Sequence, residues 1–246
     1  MEHLRTLCLV TLGVLVAATP SVAQVVAGQF QVSPRVGYYL YDEATPFKDA
    51  ASVGADARYF ITENLGIGLE FDFARPVVDG SYFKNAYFVY PGPINLLIEP
   101  GQQVTQVIFG AFGIAGLRTE RISVLGIGGG GVYTLYYDPQ VIGSVPTRSG
   151  NETFTQAMLM FGGGVEYMIS EAAGVRVDVV DDVFLKFDRE KFNPVELRWQ
   201  NDRNREPGGS GLDFPEANGS PPEASETVHN FRISLAFQLI PGQIFR

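Results

Sequence analysis

Two stretches of this chain, more than a hundred residues apart, carry nearly the same pattern. Tyr59–Phe71 reads YFITENLGIGLEF, and Tyr167–Val179 reads YMISEAAGVRVDV. Each is an alternating strand, a tight polar turn closing on glycine (Gly66, Gly174), and a second alternating strand. A turn this short can only join antiparallel neighbours.

Eight segments have strand character: Phe30–Tyr41, Ala51–Thr62, Leu65–Arg75, Val104–Gly116, Arg121–Tyr137, Thr153–Ile169, Val175–Phe187 and Thr227–Leu239. Each reaches the ~9–11 residues that a tilted strand needs to cross a bilayer. No helical period of 3.6 is sustained. In the last segment Phe231, Ile233, Leu235, Phe237 and Leu239 share one face, and Arg232, Ser234, Ala236 and Gln238 the other. The third sets Ile67, Leu69, Phe71 and Phe73 against Gly68, Glu70, Asp72 and Ala74. Strands four and five are ambiguous, being apolar or glycine on both faces. In the seventh, Asp181 falls on an otherwise apolar face; a bulge near Asp181 and Asp182, or a position beyond the hydrocarbon, would resolve it.

Connections alternate in length. Short turns fall at Glu63–Asn64, Leu117–Glu120 and Ser170–Gly174, and long polar loops at Asp42–Ala50, Pro76–Gln103, Asp138–Glu152 and Asp188–Glu226. An apolar face for lipid, a charged face for water or ion pairs, and this loop asymmetry together predict an all-β, eight-stranded antiparallel up-and-down transmembrane β-barrel. Ten strands is the alternative. Ser81–Tyr90 and Ile94–Glu99 flank Pro91–Gly92–Pro93 and could form another hairpin, but Ile94–Glu99 is too short to span, so we read it as a loop extension.

The N-terminus has the layout of a secretory signal: Met1–Arg5, an apolar run Leu7–Ala18, then small residues including Ser21 and Ala23. Residues 1–23 are therefore expected to be removed and 24–246 to form the barrel domain. The apolar run falls short of the ~20 residues of a spanning helix. Cys8, the sole cysteine, lies in this signal, so the mature chain is expected to hold neither disulfide nor soft metal site. A formal net charge of -9 argues against nucleic acid, which needs a basic face.

The inward faces collect Arg35, Asp56, Arg58, Glu70, Asp72, Glu166, Arg176, Asp178, Lys186 and Arg232. If Thr62 pairs with Gly66, Arg58 stands opposite Glu70; Glu166 stands opposite Arg176 or one diagonal away. A barrel of about eight strands encloses little more than its own side chains, so these charges read as pairs that fill a narrow lumen. Rearrangement of the pairs to admit solute is the sharper alternative.

Other motifs carry less. Gly126–Gly131 has the glycine spacing of a dinucleotide fingerprint, but strand rather than helix follows at Val132–Tyr137. Across the third long loop these glycines face Gly162–Gly164, which suggests packing relief, a lipid groove or a barrel–barrel contact. Only His229 survives signal removal, and with Ser225 and Glu226 nearby it forms no relay on one strand face. We expect no catalysis, no cofactor and no metal. Tyr82, Phe83, Tyr87, Phe88 and Tyr90 form an aromatic cluster, and the loop 188–226 holds Trp199. Loops 76–103 and 188–226 are the places for an extracellular ligand.

Phe161–Tyr167, the turn to Gly174, Val175–Asp178 and the closing Phe231–Phe237 resemble the small bacterial outer-membrane barrels of the OmpA/OmpX-like family. The resemblance covers essentially the mature chain. It implies an exported protein of the outer membrane of a diderm bacterium, in contact with lipid and lipopolysaccharide, with a structural or surface-interaction role. A narrow channel for small or apolar solutes is second, and a lipid-modifying barrel enzyme third. It also implies that the barrel assembly machinery reads a terminal aromatic, here Phe237, although Gln238–Arg246 continues beyond it and offers Phe245 as a competing candidate.

Overall fold

The computed structural model describes residues 26–78, 103–119, 121–137, 152–192, 207 and 227–244. Eight strands close into a barrel in chain order: β1 (Phe30–Leu40), β2 (Ala50–Phe60), β3 (Leu65–Ala74), β4 (Thr105–Arg118), β5 (Ile122–Tyr137), β6 (Glu152–Met168), β7 (Ala173–Leu185) and β8 (Thr227–Leu239). All neighbours are antiparallel, and β1 pairs with β8, so no edge strand is left to be covered. This closure excludes the ten-stranded alternative. The hairpin considered at 81–99, the signal segment 1–23, the 82–90 aromatic cluster and Trp199 all lie outside the described residues.

Hydroxyl side chains hold the three short turns. In the first, the Ile61 and Thr62 amides both donate to the Leu65 carbonyl, at 2.9 and 3.1 Å. Thr62 Oγ1 accepts from the Asn64 and Leu65 amides at 3.2 and 3.0 Å. The third turn repeats this: Ile169 and Ser170 donate to Ala173 at 3.0 Å each, and Ser170 Oγ accepts from Ala172 and Ala173. In the second, Thr119 Oγ1 accepts from the Ile122 amide at 3.2 Å. A side chain that bonds its own turn backbone in this way fixes the hairpin register locally.

Alternation then sorts the side chains. Ile67, Leu69, Phe71, Phe109, Val177, Ile233, Leu235 and Phe237 point outward and are exposed. The opposite parity is buried, including Arg58, Arg176 and Arg232 at 1 % exposure each. Pro34 lies on the closing seam, where the β1–β8 pairing passes from Val32–Leu239 to Arg35–Ala236 and skips Ser33 and Pro34, the second of which has no N–H to give. The β7–β8 pairing runs unbroken through Asp181–Phe231 and Asp182–Asn230. The bulge considered there is thus corrected: strand parity holds, with Asp181 outward and Asp182 inward.

The glycines of β4–β6 serve both faces. Gly131 points into the lumen, and a Cβ there would strike the Phe109 carbonyl and Gly110 Cα of the next strand. Gly128 points outward, and a Cβ there would meet nothing within 4 Å. We therefore expect Gly131→Ala to reduce the fraction of protein that assembles into a detergent-resistant barrel, and Gly128→Ala to leave it unchanged. Gel mobility with and without boiling reads both.

Candidate functional site: the barrel interior

The interior is divided lengthwise. Strands β1, β2, β3, β7 and β8 supply charge, while β4, β5 and β6 supply mainly apolar residues and glycine. Towards the extracellular side, Arg35 and Arg232 meet three carboxylates. Arg35 Nη1 donates to Glu70 Oε2 at 2.7 Å and Nε to Asp72 Oδ2 at 3.1 Å. Arg232 Nη2 donates to both Glu70 oxygens at 3.1 Å; its Nη1 lies 3.3 Å from Asp72 Oδ2 and its Nε 3.4 Å from Asp182 Oδ2.

Nearer the periplasmic side, Arg176 Nη2 donates to Asp56 Oδ2 at 2.5 Å and Nε to Asp178 Oδ2 at 2.7 Å. Arg58 Nε donates to Asp56 Oδ1 at 2.8 Å, and its guanidinium carbon lies 5.4 Å from the centre of the Phe112 ring. Arg118 Nη1 donates to Glu166 Oε1 at 3.2 Å while its guanidinium covers the Phe60 ring at 4.3 Å. Gln238 Nε2 donates to the other Glu166 oxygen at 2.6 Å. Arg35 Nη1, 3.7 Å from Asp56 Oδ2, links the two clusters.

The pairing differs from the sequence expectation in three ways. Arg58 does not face Glu70: Phe60 pairs with Gly66, so Arg58 lies opposite Gly68, and Asp56 lies opposite Glu70. The turn is two residues longer than the Thr62–Gly66 pairing assumed, and a shift of two preserves the face while changing every partner. Glu166 does stand opposite Arg176; its bonds go instead to Arg118 and Gln238. Lys186 is exposed and belongs to no interior network, because β7 ends at Leu185 and Lys186 turns away at φ 52°. The other nine expected residues are buried within the barrel.

Arg118 and Asp182 were missed. Both share the inward parity of their strands, but in the sequence Arg118 falls within the short turn Leu117–Glu120 and Asp182 beside the off-pattern Asp181.

An aromatic cap was missed as well. Phe47, from the loop after β1, lies 5.1 Å from Phe192 and 5.9 Å from Phe187, centre to centre. Tyr41 stacks on Tyr39 and meets Phe47 edge-on, and Tyr133 stacks on Phe184 at 3.9 Å. Phe187 and Phe192 come from the β7–β8 connection, whose Arg189–Phe192 forms one 3-10 turn. The extracellular end of the lumen, above the Arg35–Arg232 cluster, is therefore packed with aromatic rings, of which Phe47, Phe187 and Phe192 are brought in by two loops. The two loops are far apart in sequence, and no period marks these three residues.

Two features lie on the outer wall. His229 Nδ1 and Asp181 Oδ2 are 2.8 Å apart, which gives the outward Asp181 its partner. Ser225 and Glu226 lie outside the described residues. An apolar groove of about 610 Å³ is flanked by Phe30, Tyr59, Ile67 and Leu69 and floored by Ala111, Gly113 and Gly128. These residues have outward parity and face lipid, while Arg58, Gly68, Phe112 and Gly129, of inward parity, form the deeper part of its lining.

This pairing scheme makes a specific prediction. In a double-mutant cycle, Arg232 and Glu70 should couple within the ~0.5–3 kcal/mol expected of contacting network members, and Arg58 and Glu70 negligibly. Arg176→Ala, which takes from Asp178 its hydrogen-bonded guanidinium and from Asp56 one of two, should cost about 3–5 kcal/mol in equilibrium unfolding.

The fold can be set beside known proteins. Neisserial surface protein A matches with a TM-score of 0.50 at 12 % identity, over 86 % of this chain and 96 % of that one. The outer membrane protein OprG from Pseudomonas aeruginosa matches with a TM-score of 0.50 at 11 % identity, over 89 % and 98 %. At such identities these likenesses speak for the fold alone. No curated protein matches the sequence. The family model described as the outer membrane protein beta-barrel domain matches residues 9–188. A closed eight-stranded barrel with a lipid-facing apolar surface fits that description, and the chain belongs to the outer membrane protein β-barrel domain family and resides in the outer membrane.

Proposed function

We propose that this protein is a sealed barrel whose role is structural or interactive, played in lipid and at the cell surface rather than through its lumen. The observation that supports this reading is the filling of the interior by two unlike plugs. Ion pairs occupy the periplasmic and middle parts, and the aromatic cap occupies the extracellular part. A solute would have to separate guanidiniums from carboxylates in a space with little water, at a cost of several kcal/mol per stranded ion.

The chain is, on this reading, not an enzyme. The His229–Asp181 pair would need a nucleophile, and no described hydroxyl hydrogen-bonds the other ring nitrogen of His229. Lipopolysaccharide and lipid are the partners of the outer wall, and loops 76–103 and 188–226 are the candidates for an extracellular ligand. Delivery through the barrel assembly machinery, with Phe237 as the aromatic that it reads, is supported by the place of Phe237 on the outer face of the closing strand.

Purified barrel in planar bilayers should give no conductance steps above the lipid background. Steps whose size scales with salt would overturn the sealed-lumen reading and favour a narrow channel.

A further inference from the structure

We propose that the extracellular-side cluster of the lumen binds one proton, held on the carboxylate of Asp182. In the periplasmic-side cluster Arg58, Arg118 and Arg176 match Asp56, Asp178 and Glu166. In the upper cluster three carboxylates, Glu70, Asp72 and Asp182, face only two guanidiniums, those of Arg35 and Arg232. Among the described residues one negative charge is left over, on side chains buried from solvent.

The contacts indicate which carboxylate carries the excess. Glu70 receives hydrogen bonds from both guanidiniums. Asp72 Oδ2 is bonded by Arg35 and lies 3.3 Å from Arg232. Asp182 has a single guanidinium contact, at 3.4 Å, and a hydrogen bond donated by the Tyr39 hydroxyl at 3.1 Å. Its Oδ1 has no partner, as is also true of Asp72 Oδ1, and the residue is wholly buried.

Among the described residues, the strands packed around it bring no further cation. β1 presents Arg35 and Tyr39, with Tyr41 just beyond its end; β2 presents Asp56; β3 presents Glu70 and Asp72; β4 presents Gln106; β8 presents Asn230 and Arg232. Lys191, from the loop above, lies over the Phe154 ring instead.

A buried carboxylate with this little compensation takes up a proton rather than remain charged. The step is a simple association, in which a solvent proton forms one O–H bond on the carboxylate and nothing is oxidised. A metal ion fits less well, since among the described residues no three acidic, histidine or cysteine side chains converge to hold one.

The sign of the pH effect follows. An unfolded aspartate loses its proton near its ordinary ~3.9, while the folded barrel keeps it to higher pH. Between those limits the folded state binds more protons than the unfolded state, so stability falls as pH rises.

Infrared spectra of the wild-type barrel in detergent at about pH 7 test the proposal directly. A protonated-carboxyl C=O band that shifts in D2O is expected. It should disappear with rising pH in step with falling heat stability, and it should be lost in Asp182→Asn but kept in Asp178→Asn. Absence of the band in the wild type overturns the proposal, as does a band that persists in Asp182→Asn. A heat stability that instead rises when choline chloride is replaced by sodium chloride, with no band, would assign the extra charge to an alkali cation and equally overturn it.

Discussion

Charge in a lumen too narrow for bulk water sets the terms for the rest of this structure. An eight-stranded barrel has room for little beyond its own side chains. Every buried guanidinium must then find carboxylates within the barrel, some on its own strand, as Arg58 finds Asp56, and others across the lumen. Arg176 of β7 reaches Asp56 of β2, and Arg232 of β8 reaches Glu70 of β3. These bonds cross the interior and tie non-neighbouring strands that the backbone ladders leave unconnected. The opposite wall answers with volume: Gly110 gives way to Met160, and Gly164 to Asp178. Charge on one side and glycine on the other are two halves of one packing solution.

The two plugs are closed by different physics. The ion-pair layer is specific in direction and intolerant of losing one partner. The aromatic cap is held by burial and ring packing, which tolerate small shifts of the loops that carry Phe47, Phe187 and Phe192. Tyr39 joins them, since its hydroxyl bonds Asp182 below and its ring stacks on Tyr41 above. A barrel sealed in this way offers the environment its rim and outer wall.

Much of this was legible in the sequence because a strand's period of two writes burial directly into residue order. The eight strands, the alternation of short and long connections, and the inward parity of nine charged residues follow from that period alone. Partner choice does not. Arg58 and Glu70 are on the correct face, yet two residues of turn length decide whether they meet, and the bonds of Thr62 that set that length are local and unmarked by hydropathy. Lys186 was misjudged because parity ends where the strand ends. Asp182 was obscured by its neighbour Asp181, whose outward charge looked like a broken pattern until His229 supplied its partner. Tyr39, Tyr133 and Phe184 of the aromatic cap share the inward parity of their strands, but Phe47, Phe187 and Phe192 come from loops, which obey no period.

The most direct test of the sealed interior is thiol accessibility. The sequence has one cysteine, Cys8, in the expected signal, so a mature chain with a single introduced thiol reports one position. Ser33 is wholly buried in the lumen, with Arg176 Nη1 at 3.4 Å from its hydroxyl. In intact membranes Ser33→Cys should resist a hydrophilic maleimide until the barrel is denatured, while Glu63→Cys on the exposed first turn reacts at once. Rapid labelling of Ser33→Cys in the native barrel would show water and solute in the lumen and would contradict the account.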